Sequence, residues 1–170
     1  LPLAGLSMTA ILSPCLRYRY RLERTLEGEG LAGTVAFIGV NPSTADAELD
    51  DATVRKWKGF AQRWGYQRIA VGNLFAWRST DVRALAAAED PIGPENDAHL
   101  QSLLEGASLI VPCWGSSGKL PPRLHPRIAQ VRALLQATAT PIAVLGLTTS
   151  QDPKHPLMLG YSTPLVPWTL

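Results

Sequence analysis

Cysteine is scarce in this chain, which has only Cys15 and Cys113 among its 170 residues. The two lie far apart in the sequence and show none of the short spacings that hold a zinc ion. This scarcity argues against a disulfide-stabilised scaffold and a cysteine-based metal site. We therefore expect two reduced thiols in a cytoplasmic protein.

Long apolar runs are also lacking, and the charge is low. No run approaches the roughly 20 residues that span a bilayer, so we expect no membrane partner. The formal net charge is only +2, which by itself does not demand a nucleic-acid partner. Because 46% of the residues are hydrophobic, the chain can bury one full core. We find no linker or repeat, and we predict a single domain over residues 1–170.

The first residues are apolar but lack the basic leader of a signal peptide. Met8 is a candidate natural start of the protein. We therefore predict that residues 1–14 are disordered or belong in part to a tag.

Short apolar runs alternate with helix signals along the rest of the chain. Strands are predicted at residues 34–40, 68–74, 108–113 and 142–145, which are β-branched or apolar and bounded by turn residues. Helices are predicted at residues 51–64, 81–88, 94–104 and 126–137, the first capped by Asp50 or Asp51. This alternation predicts an α/β fold, a three-layer α/β/α sandwich around a central, mainly parallel four-stranded sheet.

Unusual polar and aromatic residues follow each predicted strand. Asn41 ends the first strand, Asn73 the second, and His155 comes shortly after the fourth. Because the carboxyl ends of parallel strands meet at one edge, we expect these side chains to share a pocket. A carboxamide such as Asn73 can donate to and accept from a base edge. The candidate base-binding residues are Asn73, Phe75, Trp77, Trp114 and His155.

Each of these residues also has a purely structural interpretation. Asn41 precedes a proline and can simply cap a turn. Asn73 can be a satisfied amide at a strand end, and His155 can be an ordinary loop residue.

Basic residues are unevenly distributed. Arginine alternates with apolar residues over residues 16–24, which is the pattern of a strand with one cationic face. Such a face is a candidate phosphate rail, although solvated surface is the alternative. The candidate phosphate contacts are Arg17, Arg19, Arg21, Arg55, Arg78 and Lys154.

An acidic cluster, Asp46, Glu48, Asp50 and Asp51, precedes the first predicted helix. Its crowded spacing fits helix capping better than metal binding. We therefore expect neither a metal nor another cofactor.

Five sequence segments together resemble a bacterial and phage family of small proteins of unknown function. They cover most of the chain, and the resemblance implies no chemistry. The segments are Asn41-Pro-Ser-Thr-Ala-Asp46, Asp50-Asp-Ala-Thr-Val-Arg55, Asn73-Leu-Phe-Ala-Trp-Arg78, Gly93-Pro-Glu-Asn-Asp97 and His155-Pro-Leu157.

A more remote resemblance rests on motif order. Gly39-Val-Asn-Pro42, Val71-Gly-Asn-Leu74, the run 109–115 and His155-Pro156 are similar to successive motifs of the uracil-DNA glycosylase superfamily. The resemblance implies a fold like that of these glycosylases. It also implies that Asn41 positions the attacking water, that Asn73 reads an extruded base, and that His155 contacts the base.

These observations predict a nucleobase-recognising enzyme that hydrolyses an N-glycosidic bond in DNA or in a modified nucleotide. The reaction needs a held water or a carboxylate beside the sugar and hydrogen-bond donors at the leaving base. The candidate catalytic residues are Asn41, Asp46 and His155, with Asp50 and Asp51 as alternative carboxylates. Two other functions stay open: a nucleic-acid or nucleotide binding module without catalysis, and an unrelated small-molecule enzyme that uses Ser43, Thr44 and the acidic cluster.

Overall fold

A computed structural model describes residues 8–46 and 48–170 of the chain. Its strands and α-helices follow one another in the order β1 (Met8–Leu12), β2 (Arg19–Thr25), β3 (Thr34–Gly39), α1 (Ala52–Arg63), β4 (Arg68–Asn73), α2 (Val82–Ala87), α3 (Asn96–Glu105), β5 (Leu109–Pro112), α4 (Pro126–Gln136), β6 (Ala143–Val144) and β7 (Val166–Pro167). Two short 3-10 turns, Ser117–Lys119 and Pro122–Leu124, separate β5 from α4.

The fold is mixed α/β, and its main sheet has five strands in the order β1-β2-β4-β3-β5. Strands β3, β4 and β5 run parallel to one another, whereas β1 and β2 pair antiparallel. The prediction of a mainly parallel four-stranded sheet was therefore wrong in strand number and in direction. The reason is the segment of alternating arginines, which forms β2 and pairs antiparallel with β4.

Two further differences from the predicted sheet lie at the ends of the chain. Residues 8–12, which we expected to lie outside the fold, form the edge strand β1, while residues 1–7 lie outside the described residues. The predicted fourth parallel strand contributes one bridge, from Ile142 to Ile110, and β6 pairs with β7 in a separate two-stranded sheet.

Apolar side chains cover both faces of the main sheet. Because successive side chains of a strand point to opposite faces, Phe37 packs with Trp57 of α1, while Ile38 packs with Leu100 of α3 and Val131 of α4. Strands β3 and β4 are buried except for their first residues. Within the described residues, no helix combines the length and apolar character needed to cross a membrane.

Aspartate caps begin two of the helices, and the first of them, Asp51, is one of the two caps that the sequence predicts. Asp51 accepts a hydrogen bond from the backbone N–H of Val54 at 3.0 Å, and Asp81 accepts one from Arg83 at 2.8 Å. Each cap satisfies an amide donor that has no partner inside the helix. The cap at Asp51 matters for the site because it fixes the start of α1 beside the carboxyl ends of the parallel strands.

Candidate functional site

A cleft of about 570 Å³ opens where β3, β4 and β5 end, and we call it the main cleft. The strand exits meet there because these three strands run parallel. Six of the predicted site residues line it: Arg19, Asn41, Asn73, Trp114, Lys154 and His155. The edge of the sheet that the sequence indicates is therefore the edge that holds the cavity.

Asn41 braces the two loops that leave β3 and β4. Its Nδ2 donates to the backbone oxygens of Ser79, Pro42 and Trp77 at 2.8, 3.1 and 3.4 Å. These bonds fix the orientation of the carboxamide, since its nitrogen is committed to backbone acceptors. In the part of the chain that the structure describes, Oδ1 has no partner, so it is free to accept a hydrogen bond in the main cleft.

Asn73 presents a carboxamide that the protein leaves unused. The side chain is only 3% exposed, and its Nδ2 has no hydrogen-bond partner among residues 8–46 and 48–170. Gly39 makes room for it, because a Cβ at that position would lie 2.9 Å from Asn73 Oδ1. A buried amide without a partner costs about 1–3 kcal/mol, so this arrangement invites a ligand that satisfies it.

Buried side chains hold the backbone around Asn73 in place by hydrogen bonds. Asn96 Nδ2 donates to the backbone oxygens of Asn73 and Leu74 at 3.1 and 3.2 Å, and Arg127 Nε donates to that of Leu74 at 2.8 Å. Asn96 and Arg127 are themselves buried. They keep the exit of β4 rigid and therefore keep the Asn73 carboxamide in place.

Two tryptophans form apolar walls of the main cleft. Trp57 Nε1 donates to Cys113 Sγ at 3.3 Å, so its polar atom is satisfied. Trp114 Nε1 is buried and has no partner among the described residues. The ring of Trp114 meets that of Trp168 edge to face, with the centroids 5.8 Å apart. The main cleft therefore combines aromatic surface with a second uncommitted donor.

His155 adds a third donor to the main cleft. The backbone N–H of Leu157 donates to His155 Nδ1 at 3.2 Å, so in the neutral ring the proton resides on Nε2. Burial of the imidazole, together with the nearby positive charge of Lys119, lowers its pKa. The ring is therefore neutral at pH 7, with Nε2 available as a hydrogen-bond donor.

Asp46, a predicted catalytic residue, is not among the residues that line the main cleft. Its carboxylate accepts hydrogen bonds from the backbone N–H groups of Glu48 and Leu49 at 2.9 and 2.8 Å, and these bonds lower its pKa. Asp50 is committed as well, to Arg24 at 2.7 Å and to Lys58 at 2.9 Å. Both carboxylates stabilise the loop before α1.

Asp51 is the member of the acidic cluster that lines the main cleft. One carboxylate oxygen caps α1, and the other has no hydrogen bond to any described residue. Arg19 lies nearby in the same lining, with Nη1 donating to the backbone oxygen of Ala45 at 2.7 Å. Burial lowers the pKa of Arg19 to about 10, so it remains a cation at neutral pH beside Asp51.

The predicted phosphate rail of β2 does not form. Arg19 is buried beneath the main cleft, and Arg21 pairs with Glu23 at 2.7 Å. Arg55 is exposed and is not among the lining residues of the main cleft, and its Nη1 donates to the backbone oxygen of Asp50. Arg24, also on β2, is fully buried and binds the backbone of Asp46 and the carboxylate of Asp50. Two arginines of this pattern, Arg19 and Arg24, therefore anchor the loop before α1 and do not face solvent.

Two predicted base-binding rings lie outside the main cleft. Phe75 is buried in the apolar core. Trp77 lines a separate depression with Arg17 and Arg78, which we call the second cleft. The sequence prediction placed both rings with Asn73 because they follow it directly, but the chain turns away from the edge after β4.

Several residues of the main cleft carried no clear signal in the sequence. Lys119 and Ser116 lie in or beside a 3-10 turn, and Thr148 lies in the irregular segment after β6. Asp152 holds this region together, because its Oδ2 accepts from the backbone N–H of Ser117 at 2.8 Å. Among the residues that the structure describes, no group of three metal-ligating side chains occurs.

A family model described as "Protein of unknown function (DUF1643)" matches residues 19–157. The chain belongs to this family. The resemblance to a family of unknown function is thereby confirmed, and the matched range includes Asn41, Asp51, Asn73, Trp114 and His155 of the main cleft. Searches of curated proteins and of solved structures found no match.

Proposed function

We propose that this DUF1643 protein is a cytoplasmic, nucleobase-recognising hydrolase that cleaves an N-glycosidic bond in DNA or in a modified nucleotide. The observation that carries the proposal is the Asn73 carboxamide, buried at the main cleft with its donor unpaired. The remote similarity of motif order to the uracil-DNA glycosylase superfamily supports the same reaction.

The base side of the reaction has suitable donors. When the glycosidic bond breaks, negative charge develops on the leaving base, and correctly placed N–H groups stabilise it. Asn73 Nδ2 and Trp114 Nε1 are buried without partners, and neutral His155 offers Nε2. Each such donor is worth about 3 kcal/mol when it meets developing charge. The rings of Trp57 and Trp114 supply the flat apolar surface that a base needs.

The sugar side has suitable acceptors. Asp51 keeps one carboxylate oxygen free, and Asn41 keeps Oδ1 free in a fixed orientation. Together they can hold a water, with the Asp51 carboxylate stabilising positive charge on the sugar as the base leaves and then taking the proton of the attacking water. In this proposal Asp51 replaces Asp46 as the catalytic carboxylate, because the charge of Asp46 is used by the loop that contains it.

A second candidate function, nucleotide binding without turnover, is favoured by the structural duty of Asn41. Its amide nitrogen contacts three backbone oxygens, which is the behaviour of a loop brace. Such a structural role for Asn41 would be the same in a binding module that does not activate a water for catalysis. The two functions share the base-binding wall of the main cleft and differ only in whether Asp51 acts on a substrate.

The decisive experiment compares Asp51→Asn with Asp81→Asn. Both aspartates cap a helix with one oxygen, and asparagine caps equally well, so both variants should fold like the wild type. Only Asp51 lines the main cleft. Each protein is incubated with oligonucleotides that carry single modified bases and with free nucleotides, and released base is measured by mass spectrometry.

We expect the wild type and Asp81→Asn to release a base at equal rates. Asp51→Asn should bind the same compounds and release base about 10²–10⁴-fold more slowly, because it has lost its general base. Binding without release by the wild type would support the binding module instead. Failure to bind any nucleobase-containing compound would refute both functions.

A further inference from the structure

The second cleft lies beside the main cleft and has a volume of about 490 Å³. Ser43 lines both clefts, so their surfaces are continuous. The second cleft combines two arginines and a tryptophan with four hydroxyl-bearing residues. These are Arg17, Trp77, Arg78, Ser43, Thr44, Ser79 and Thr80.

Backbone pairing holds the two arginines together. The backbone N–H of Arg78 donates to the oxygen of Arg17 at 2.8 Å, and Tyr18 and Trp77 form an antiparallel bridge. The segment before β2 is thereby fixed against the loop after β4. Asn41 completes the wall between the clefts, since it donates to the backbone oxygens of Trp77 and Ser79. The second cleft is thus built on the same loops as the main cleft.

Neither arginine forms a salt bridge within the described part of the chain, although the positive charge of Arg78 contributes to the lowered pKa of Asp46. Arg78 Nη1 contacts the backbone oxygen of Leu16 at 3.4 Å, and the Arg17 guanidinium lies 5.7 Å from the centre of the Trp77 ring. Four of the described arginines do form salt bridges, among them Arg24 with Asp50 and Arg127 with Asp97. Two guanidinium-bearing residues in one cleft lined by hydroxyl-bearing residues form a surface that suits phosphate oxygens.

We propose that the second cleft binds the backbone phosphates of a polynucleotide strand whose target base occupies the main cleft. The proposal rests on the base-recognition function and specifies its substrate as a polymer. The main cleft already contains Lys119, Lys154 and Arg19, which suffice for the phosphate of a single nucleotide. A second cationic surface continuous with it is useful to a ligand that carries further phosphates.

The test compares two double variants that lose the same charge. Arg17→Gln/Arg78→Gln alters the second cleft, whereas Arg63→Gln/Arg68→Gln removes two exposed arginines at the end of α1 and the start of β4, outside both clefts. Binding of a fluorescent single-stranded DNA decamer and of its mononucleotides is measured over a range of salt concentrations. Melting temperatures of both variants, and binding by the single variant Arg17→Gln, control for misfolding.

We expect the second-cleft variant to bind the decamer about tenfold more weakly, with a slope of log affinity against log salt that is smaller by about 1.4. That change corresponds to two lost phosphate contacts on a single strand. Mononucleotide binding should not change, and the Arg63→Gln/Arg68→Gln variant should bind the decamer with the slope of the wild type. For the single variant Arg17→Gln, the slope should fall by about half as much as for the double variant.

Three results would overturn this proposal. The first is that the wild type binds no decamer at low salt. The second is that both double variants lose the same factor in affinity for the decamer. The third is that the second-cleft variant loses as much affinity for mononucleotides as for the decamer. The last result would mean that the second cleft holds the phosphate of a free nucleotide. Loss of the proposed catalytic function is separable, because a protein that releases no base would still show the decamer effect if the second cleft binds a strand.

Discussion

Replacing Asn73 by leucine should stabilise the protein while it abolishes recognition of the base. Asn73 is 3% exposed and its Nδ2 has no partner in the described structure, so the folded protein carries the cost of a desolvated amide. Leucine has a similar branched shape and no polar atom. Removing a penalty of about 1–3 kcal/mol should raise the free energy of unfolding by a comparable amount.

The expected change is large enough to measure by thermal unfolding. A stabilisation of about 2 kcal/mol corresponds to a rise of about 4–8 °C in Tm for a chain of this size. The ligand effect should go the other way. A nucleotide that raises the Tm of the wild type by mass action should leave that of Asn73→Leu unchanged, because the group that reads the base is gone.

Asn96→Leu is the matched control, since Asn96 is a buried asparagine in the same region. Its Oδ1 is also unpartnered, but its Nδ2 makes two hydrogen bonds to the backbone oxygens of Asn73 and Leu74. Losing both bonds leaves two buried backbone oxygens with fewer donors, and this cost should exceed the gain from removing the single unpartnered Oδ1, so the free energy of unfolding should fall. The two substitutions should therefore move Tm in opposite directions.

A fall in Tm for Asn73→Leu similar to that for Asn96→Leu would refute the reasoning. It would show that the Asn73 amide is a satisfied strand-end group, which is the structural alternative that the sequence left open. A rise in Tm with ligand binding retained would place base recognition elsewhere in the main cleft.

Two further predictions concern titratable groups. Burial lowers the pKa of His155 below its ordinary value of 6.5, so as the pH falls below about 6.5 the unfolded chain takes up the proton first. The wild type should lose stability between pH 7.5 and 5 relative to His155→Gln, as followed by urea unfolding, and parallel curves for the two proteins would contradict this. Burial raises the pKa of Cys113 to about 12, whereas a hydrogen bond with Ser13 lowers that of exposed Cys15. Iodoacetamide at pH 8 should therefore label only Cys15 in the folded protein, as read by peptide mass spectrometry, and labelling of Cys113 without denaturant would count against its burial.

Local patterns predicted much of the fold. Strand β3 is marked by one apolar run, and α1 and α2 begin at aspartate caps. These signals involve only residues that are close in the sequence, so they can be recognised without the structure. The edge at which Asn41 and Asn73 meet followed from the same local pattern, because parallel strands bring their carboxyl ends together.

The errors arose where distant parts of the chain determine the environment. Arg19 looked like a surface cation, but its partner is the backbone oxygen of Ala45 in a loop that covers it. The segment near Ile142 looked like a full sheet strand, but most of its pairing is with β7 near the end of the chain. A periodic pattern identifies a strand and its faces, but it does not identify what covers each face.

The sequence by itself determined the strand–helix alternation, the helix caps and the chemical types of residue that gather at one edge of the sheet. Only the tertiary structure decided which members of that set are free to act. Asp46 and Asp51 belong to one acidic cluster. The Asp46 carboxylate accepts two backbone hydrogen bonds, whereas Asp51 lines the main cleft and uses only one of its oxygens to cap α1. The physical reason is that hydrogen-bond satisfaction depends on which groups the folded chain brings within reach, and residue spacing along the chain does not encode those contacts.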